Sequence, residues 1–147
     1  FSEHAPMLPS IIKRMHEAKL KNIKLEAWGD GTPLREYTYS EDMATAFLWC
    51  FENYSSSNIL NVGSNEERSI KEIVYYIADS MNFNKENIIF DNRKPGGISK
   101  KSMDNSNFLK SSNYKFSSLK EGIKKTVDWY IKSYEENGGT VRKNLKN

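Results

Sequence analysis

The sequence contains few of the residues that build disulfide frameworks and metal centres. Among 147 residues there are one cysteine, Cys50, and two histidines, His4 and His16. A single cysteine excludes an internal disulfide, and the lack of a clustered Cys/His set disfavours a zinc site. One unpaired thiol fits a reducing compartment, so we expect a cytoplasmic location. We also expect Cys50 to be a small buried residue and His16 to be exposed.

Long apolar runs are absent as well. No run approaches the roughly 20 residues that a membrane helix needs, so we expect no membrane partner. The first nine residues lack the basic-then-apolar pattern of a signal peptide. The sequence begins with Phe1 rather than Met, and we therefore expect it to be cut from a longer protein.

Charge of one sign is not in large excess. The chain has 22 basic and 19 acidic residues, a net charge of +3, and no long basic run. Nucleic-acid-binding domains concentrate Lys and Arg on one face, so no nucleic-acid partner is expected. A hydrophobic fraction of 37% with 12% aromatic residues favours a folded domain. We expect one domain over residues 1–136 and a flexible tail over residues 137–147.

Periodicity predicts alternating helices and short strands. Helices are predicted over 8–20, from 40 onward, and behind two capping boxes, Ser69-x-x-Glu72 and Ser118-x-x-Glu121. Extended segments are predicted over 23–28, 34–39, 59–62 and 88–90, with a turn over 29–33 and a polar loop over 93–102. This alternation indicates an α/β or α+β fold, and we predict α/β, with too few strands for a complete doubly wound sheet.

Three features could bind a diphosphate: Arg14 on the polar side of the first predicted helix, the stretch from Trp28 to Glu36, and the Gly-containing basic loop from Lys94 to Lys101. Arginine forms bidentate hydrogen bonds to phosphate oxygens, and a Trp ring can pack on a sugar or base. Ordinary structural roles remain open for each feature. Arg14 could be a solvated helix residue, Trp28 a core residue, Arg35 the partner of a nearby carboxylate, and the loop a simple connector.

Several segments of the sequence resemble those of GDP-L-fucose synthases, which belong to the extended short-chain dehydrogenase/reductase group. Residues 7–18 are similar to the family's V-I-P-A-L-I-R-R-F-H-E-A segment. Residues 28–37, W-G-D-G-T-P-L-R-E-Y, are similar to W-G-S-G-T-P-x-R-E-F. Residues 61–72 resemble N-V-G-x-G-x-x-x-S-I-K-E, and residues 90–95 resemble F-D-x-x-K-P-D-G. The matches keep their order and nearly their spacing from about Met7 to Tyr130.

The resemblance implies that the chain is the carboxy-terminal, substrate-binding portion of such an enzyme. It implies a nucleotide-diphosphate sugar as substrate, NADP(H) bound mainly by a Rossmann half outside this sequence, and a homodimeric parent. The substrate contacts that it implies are Arg14, Trp28, Arg35 and Lys101, and we include Ile11 with them. The parent would be a 4-keto reductase with or without 3,5-epimerisation. An epimerase or dehydratase using bound NAD, and a non-catalytic sugar-nucleotide-binding fragment, are the alternatives.

Two positions depart from the family's pattern. The family's epimerisation histidine lies three residues before the proline that matches Pro9, where this sequence has Pro6. Either His4 reaches the same place through a two-residue insertion, or the acid is missing. Gly96 replaces the acidic residue of K-P-D-G, which affects recognition of the family's usual sugar or base.

Overall fold

Helices and short strands alternate along the part of the chain that this computed structural model describes, residues 6–139 and 141. The helices are α1 (Met7–Lys21), α2 (Ser40–Asn53), α3 (Ile70–Met81), α4 (Ser106–Ser112) and α5 (Leu119–Glu136). The strands are β1 (Leu25–Trp28), β2 (Leu34–Glu36), β3 (Glu67–Ser69), β4 (Ile88–Asp91) and β5 (Lys100–Lys101), and a 3-10 turn spans Lys85–Asn87.

The strands form two small sheets. In the first, β1 and β4 are parallel, with Leu25 opposite Ile88 and Trp28 opposite Asp91. The second has the order β3-β2-β5, in which β2 is antiparallel to β3 and parallel to β5. Parallel pairs need crossover connections, which here contain helices. The predicted fold class, a mixed α/β portion of a larger enzyme fold, is confirmed.

The core lies where α1, α3 and α5 pack together and against β1. On α3, Ile73, Val74 and Ile77 are completely buried, which is the helical spacing that the sequence predicts. The other helices and β1 complete the same cluster with Ile12, Met15, Leu25, Ile123 and Val127.

Both predicted capping boxes are confirmed. The Ser69 hydroxyl accepts a hydrogen bond from the Glu72 backbone N–H (3.2 Å), and the Glu72 carboxylate accepts one from the Ser69 backbone N–H (2.9 Å). Ser118 and Glu121 repeat this arrangement at the start of α5. Each box satisfies two backbone donors that a helix start leaves unpaired, and thereby fixes where α3 and α5 begin.

Three local predictions were wrong or incomplete. The strand predicted over 59–62 does not form, and Ile59 is 91% exposed. That segment lies alongside no other strand within the described residues, and a strand needs a hydrogen-bonded neighbour. Residues 67–69 pair with β2 instead, next to a hydrogen bond from the Ile70 backbone N–H to the Pro33 carbonyl oxygen (2.9 Å). The short helix α4 and the two-residue strand β5 were not predicted.

The prediction that His16 is exposed was also wrong. His16 is only 8% exposed, and its ring lies edge-on to Tyr130 (5.4 Å between centroids) and Tyr134 (4.6 Å) of α5. Its Nδ1 atom is buried without a hydrogen-bond partner within the described part of the chain. Burial, and secondarily the charge of Lys19, lower the pKa of His16, with Glu135 and Glu17 acting weakly in the opposite direction.

We expect this burial to make the stability of the chain pH-dependent. A histidine with a lowered folded-state pKa binds fewer protons when folded than when unfolded, so the free energy of unfolding falls as the pH drops below about 6.5. His16→Phe should flatten the urea midpoint between pH 7.5 and 5.5, where carboxylates contribute little. An equally steep dependence in the variant would assign it to other groups.

Helix α2 is unusual in exposing large apolar side chains. Phe47, Leu48 and Phe51 are 59%, 65% and 90% exposed, whereas Ala46 is fully buried. Cys50 is half-buried rather than buried, and burial raises the pKa of its thiol. Within residues 6–139 and 141, no helix is long and apolar enough to cross a membrane.

Candidate functional site

Trp28 stands at the exposed end of β1. It is 56% exposed, so it is not a core residue. The Lys94 amino group lies 5.1 Å from the centre of the Trp28 ring and also pairs with the carboxylate of Glu26, two residues earlier on the same face of β1. A cation over an indole face is a favourable electrostatic contact. The result is an aromatic surface with a positive charge directly beside it.

Arg14 connects α1 to the same strand. Its guanidinium donates a hydrogen bond to the backbone carbonyl oxygen of Glu26. Arg14 is half-buried, so it is not simply a solvated helix residue. Because Glu26 and Trp28 are two residues apart on β1, this bond anchors the Arg14 side chain near the strand that carries the exposed ring.

Arg35 and Lys101 lie directly beside each other in the second sheet. They are register partners in the parallel pair of β2 and β5, so both side chains leave the same face. Arg35 Nη1 donates to the carbonyl oxygens of Leu34 (2.7 Å) and Ile98 (2.8 Å). These contacts replace the ion pair with a nearby carboxylate that the sequence left open, and they orient the guanidinium.

The segment from Lys94 to Ser99 joins the two sheets into one site. At its start, Lys94 contacts Trp28; near its end, Ile98 accepts from Arg35, and Ser99 accepts from the Leu34 backbone N–H at 2.8 Å. A polar cleft of about 450 Å³ lies between this segment and the turn after β1. It is lined by Gly29, Asp30, Thr32, Asn92, Lys94 and Ser99, with Pro33, Gly96 and Gly97.

The backbone of the loop and of the turn touch at two glycines. Gly29 has a φ of +77°, and a Cβ there would lie 2.7 Å from the Gly96 Cα. Only glycine permits both that conformation and that close approach. At Gly96, a Cβ would meet Pro33 at 3.6 Å, which is ordinary contact. The fold thus requires glycine at 29 but accommodates the family's acidic side chain at 96.

An ion pair between a buried carboxylate and an exposed arginine lies at the base of the loop. Asp91, only 7% exposed, ends β4 and accepts hydrogen bonds from Arg93 Nε (2.7 Å) and Nη2 (3.0 Å). Its backbone carbonyl also accepts from the N–H groups of Gly29 and Lys94. The Arg93 guanidinium lowers the pKa of the Asp91 carboxyl, so Asp91 is ionised at neutral pH. The turn that presents Lys94 to the cleft is therefore well defined.

The structure arranges the predicted contacts in two pairs, Arg14 with Trp28 along β1 and Arg35 with Lys101 across β2 and β5. Ile11 is 4% exposed and belongs to the hydrophobic core, so its substrate contact remains a prediction that the site geometry does not support. His4 lies outside the described residues, and its role as an acid likewise stays a prediction.

Sequence reasoning missed one cation and one carboxylate next to Arg35. Arg68 on β3 is the register partner of Arg35 on the other side of β2. The Arg68 guanidinium pairs with the Glu66 carboxylate, with Nη2 and Oε1 2.9 Å apart. Glu36, the next residue of β2, accepts hydrogen bonds from loops far away in the sequence. A three-residue strand gives no periodic signal, so neither neighbour could be placed from the pattern alone.

The described residues do not fit a dinucleotide. Such a cofactor is held by a glycine-rich turn that follows a strand and opens a helix. Here the glycine turn after β1 leads to another strand, β3 runs directly into α3, and the connection from β5 into α4 contains no glycine. The amino-terminal end of α3 is already capped by Ser69 and Glu72. Any nicotinamide cofactor would need residues beyond those described.

Known proteins of one kind are similar to this chain over most of its length. Residues 2–63 match the NAD dependent epimerase/dehydratase family. Over 132 residues, covering 89% of this chain, the sequence is 35% identical to the putative GDP-L-fucose synthase 2 of Arabidopsis thaliana. The chain is GDP-L-fucose synthase-like. The resemblance that the motifs predicted is thereby confirmed.

Solved structures agree with this GDP-L-fucose synthase-like assignment. A GDP-L-fucose synthetase from Naegleria fowleri superposes with a TM-score of 0.87 at 32% identity, covering 96% of this chain and 42% of that one. A GDP-mannoheptose C4 reductase from Campylobacter jejuni with NADP bound has a TM-score of 0.72 at 26% identity, covering 88% of this chain and 46% of that one. The chain spans about 40% of the length of the curated relative from Arabidopsis.

Proposed function

We propose that this chain forms the nucleotide-sugar-binding part of a 4-keto reductase that acts on a GDP-4-keto-6-deoxy sugar with NADPH, with or without 3,5-epimerisation. Residues 1–136 would form the substrate-binding portion and residues 137–147 a flexible tail. The parent would be a cytoplasmic homodimer. The NADP-bound reductase relative supports the choice of reductant and reaction, and NADPH would bind mainly outside this chain.

One observation carries the proposal: Arg35 is in register with Lys101 and approaches Gly97, and the exposed Trp28 ring contacts Lys94. Gly97 and Lys94 both line the polar cleft. A diphosphate carries negative charge on both phosphates, which two adjacent cations neutralise, and the planar guanidinium can form two parallel hydrogen bonds. An exposed indole offers an apolar face to a sugar or a base. The arrangement therefore supports a ligand that joins a diphosphate to a flat or ring-shaped group.

The base of the nucleotide is proposed from the relatives, since Gly96 removes an acidic group from the cleft. At the serine of the family's W-G-S-G-T-P stretch this chain has Asp30, whose Oδ1 accepts hydrogen bonds from the Thr32 N–H (2.9 Å) and the Thr32 hydroxyl (2.7 Å). These two hydrogen bonds from Thr32 lower the pKa of Asp30, so the cleft retains a negative charge at its rim. GDP sugars are therefore the first ligands to test.

The test is calorimetric titration of GDP-mannose, UDP-glucose and dTDP-glucose into the parent protein that contains this chain. We expect GDP-mannose to bind in the micromolar range, about −8 kcal/mol, and the other two more weakly. Preference for a UDP or dTDP sugar would retain the binding site but favour an epimerase or dehydratase that uses bound NAD. If no nucleotide sugar binds, the proposed function is wrong.

A further inference from the structure

The carboxylate of Glu36 joins two separate loops to β2 through three hydrogen bonds. Oε1 accepts hydrogen bonds from the Asn65 backbone N–H (3.1 Å) and from Asn105 Nδ2 (2.7 Å). Oε2 accepts one from the Met103 backbone N–H (3.2 Å). All three donors are neutral, and they come from the loop before β3 and from the connection between β5 and α4. The carboxylate therefore ties both neighbouring strands of the second sheet to β2.

One side of this carboxylate is tightly packed, while Glu36 and Met103 also line an open cavity of about 440 Å³. A Cβ at Gly63 would lie 2.5 Å from Glu36 Oε1 and 2.9 Å from Asn105 Nδ2. Asn105 is completely buried. Side chains in such a packed polar cluster have little freedom to rearrange, so each bond has a defined geometry. Hydrogen bonds to an ionised acceptor are also stronger than those between neutral groups.

This cluster lies next to the proposed phosphate-binding pair without belonging to it. Successive residues of a strand point to opposite faces, so Glu36 and Arg35 leave β2 on opposite sides. Met103 lies two residues after Lys101, and the strand that carries Lys101 is only two residues long. So short a strand has little register of its own. The bond from Leu34 to Ser99 fixes its start, and the bond from Met103 to Glu36 fixes its end.

We propose that Glu36 is a positioning residue that holds Lys101 beside Arg35, and so sets the spacing of the two cations that bind the diphosphate. The inference rests on the proposed nucleotide-sugar site. Glu36 would not touch the ligand. Its effect on binding would pass through the backbone at Met103 and would depend on the presence of the Lys101 side chain.

A double-mutant cycle tests this dependence, with GDP-mannose as the titrant. Glu36→Gln keeps the size of the side chain but replaces one carboxylate oxygen with an NH₂ group. That group cannot accept a hydrogen bond, so at least one of the present donors loses its acceptor. We expect Glu36→Gln and Lys101→Met each to weaken binding by about tenfold. The double variant should bind no more than about tenfold more weakly than the unmodified protein, because Glu36 acts through Lys101.

Arg14 provides the matched comparison, since it lies on α1 and shares no hydrogen-bond partner with Glu36. Glu36→Gln combined with Arg14→Met should be additive, about a hundredfold in total if each single change costs about tenfold. Additivity with Lys101 as well would overturn the positioning role, while binding by the unmodified chain would leave the proposed function intact. If the unmodified chain binds no nucleotide sugar, both proposals fall.

Hydrogen exchange gives a readout that does not depend on the ligand. The Met103 amide should exchange slowly in the unmodified chain and faster in Glu36→Gln, while the Gly122 amide on α5 keeps its rate. Glu36→Asp, which keeps the charge but shortens the reach, serves if Glu36→Gln fails to fold. Unchanged exchange at Met103 in a folded variant would contradict the inference.

Discussion

Replacing Arg35 with alanine should weaken the binding of GDP-mannose at least tenfold. The change removes a guanidinium that the Leu34 and Ile98 carbonyls hold in place beside Lys101. A hydrogen bond to a charged group contributes about 1.5–3 kcal/mol, and each 1.4 kcal/mol corresponds to about tenfold in affinity. Titration calorimetry of the parent protein with and without this substitution, under identical salt, measures the difference.

Two further variants separate geometry from charge. Arg35→Lys keeps the positive charge but loses the planar fork, so it should restore only part of the affinity. Lys124→Ala removes a positive charge on α5, where Lys124 pairs with Asp128 at 2.6 Å, and should leave binding unchanged. An Arg35→Ala variant that is folded and binds normally would remove Arg35 from the site. An equal loss of affinity in Lys124→Ala would show that the effect of Arg35→Ala arises from net charge alone.

The parts of the fold that the sequence predicted are those with a local signal. The capping box of Ser69 and Glu72 and the apolar spacing of Ile73, Val74 and Ile77 lie within one helix, and both are found as predicted. The strand predicted over 59–62 failed because strand formation depends on a neighbour that a local pattern does not reveal. The predicted exposure of His16 was wrong for a related reason, since its charged neighbours in the sequence gave no indication of the rings on α5 that cover it.

The candidate site shows the same division. Trp28 and Arg35 were predicted from one continuous segment of the sequence, and the structure places them next to Lys94 and Gly97, which line the cleft. The bonds that Glu36 accepts come from residues 29 to 69 positions away in the sequence. No pattern of composition or spacing contains such contacts. They arise only when β3 and β5 pair on either side of β2, and that pairing depends on strands of two and three residues.

The second large effect concerns solubility. Phe47 and Phe51 lie one turn apart on α2, and Leu48 extends the same apolar surface, with exposures of 59%, 90% and 65%. Contiguous apolar surface of this kind drives association between molecules. We expect the 147-residue chain to aggregate when expressed alone. Phe47→Lys combined with Phe51→Lys should raise its soluble fraction severalfold, because two charges interrupt the apolar surface.

Light scattering after size-exclusion chromatography, together with the soluble fraction of the lysate, would measure this change. Trp129→Lys is the matched control, since Trp129 is 59% exposed on α5 among polar neighbours. It should change solubility little, because an isolated apolar side chain does not form a patch. The α2 variants should melt cooperatively near the temperature of the unmodified chain, since lysine is a good helix former and both sites are exposed. A monodisperse, cooperatively melting unmodified monomer would show that α2 does not drive association.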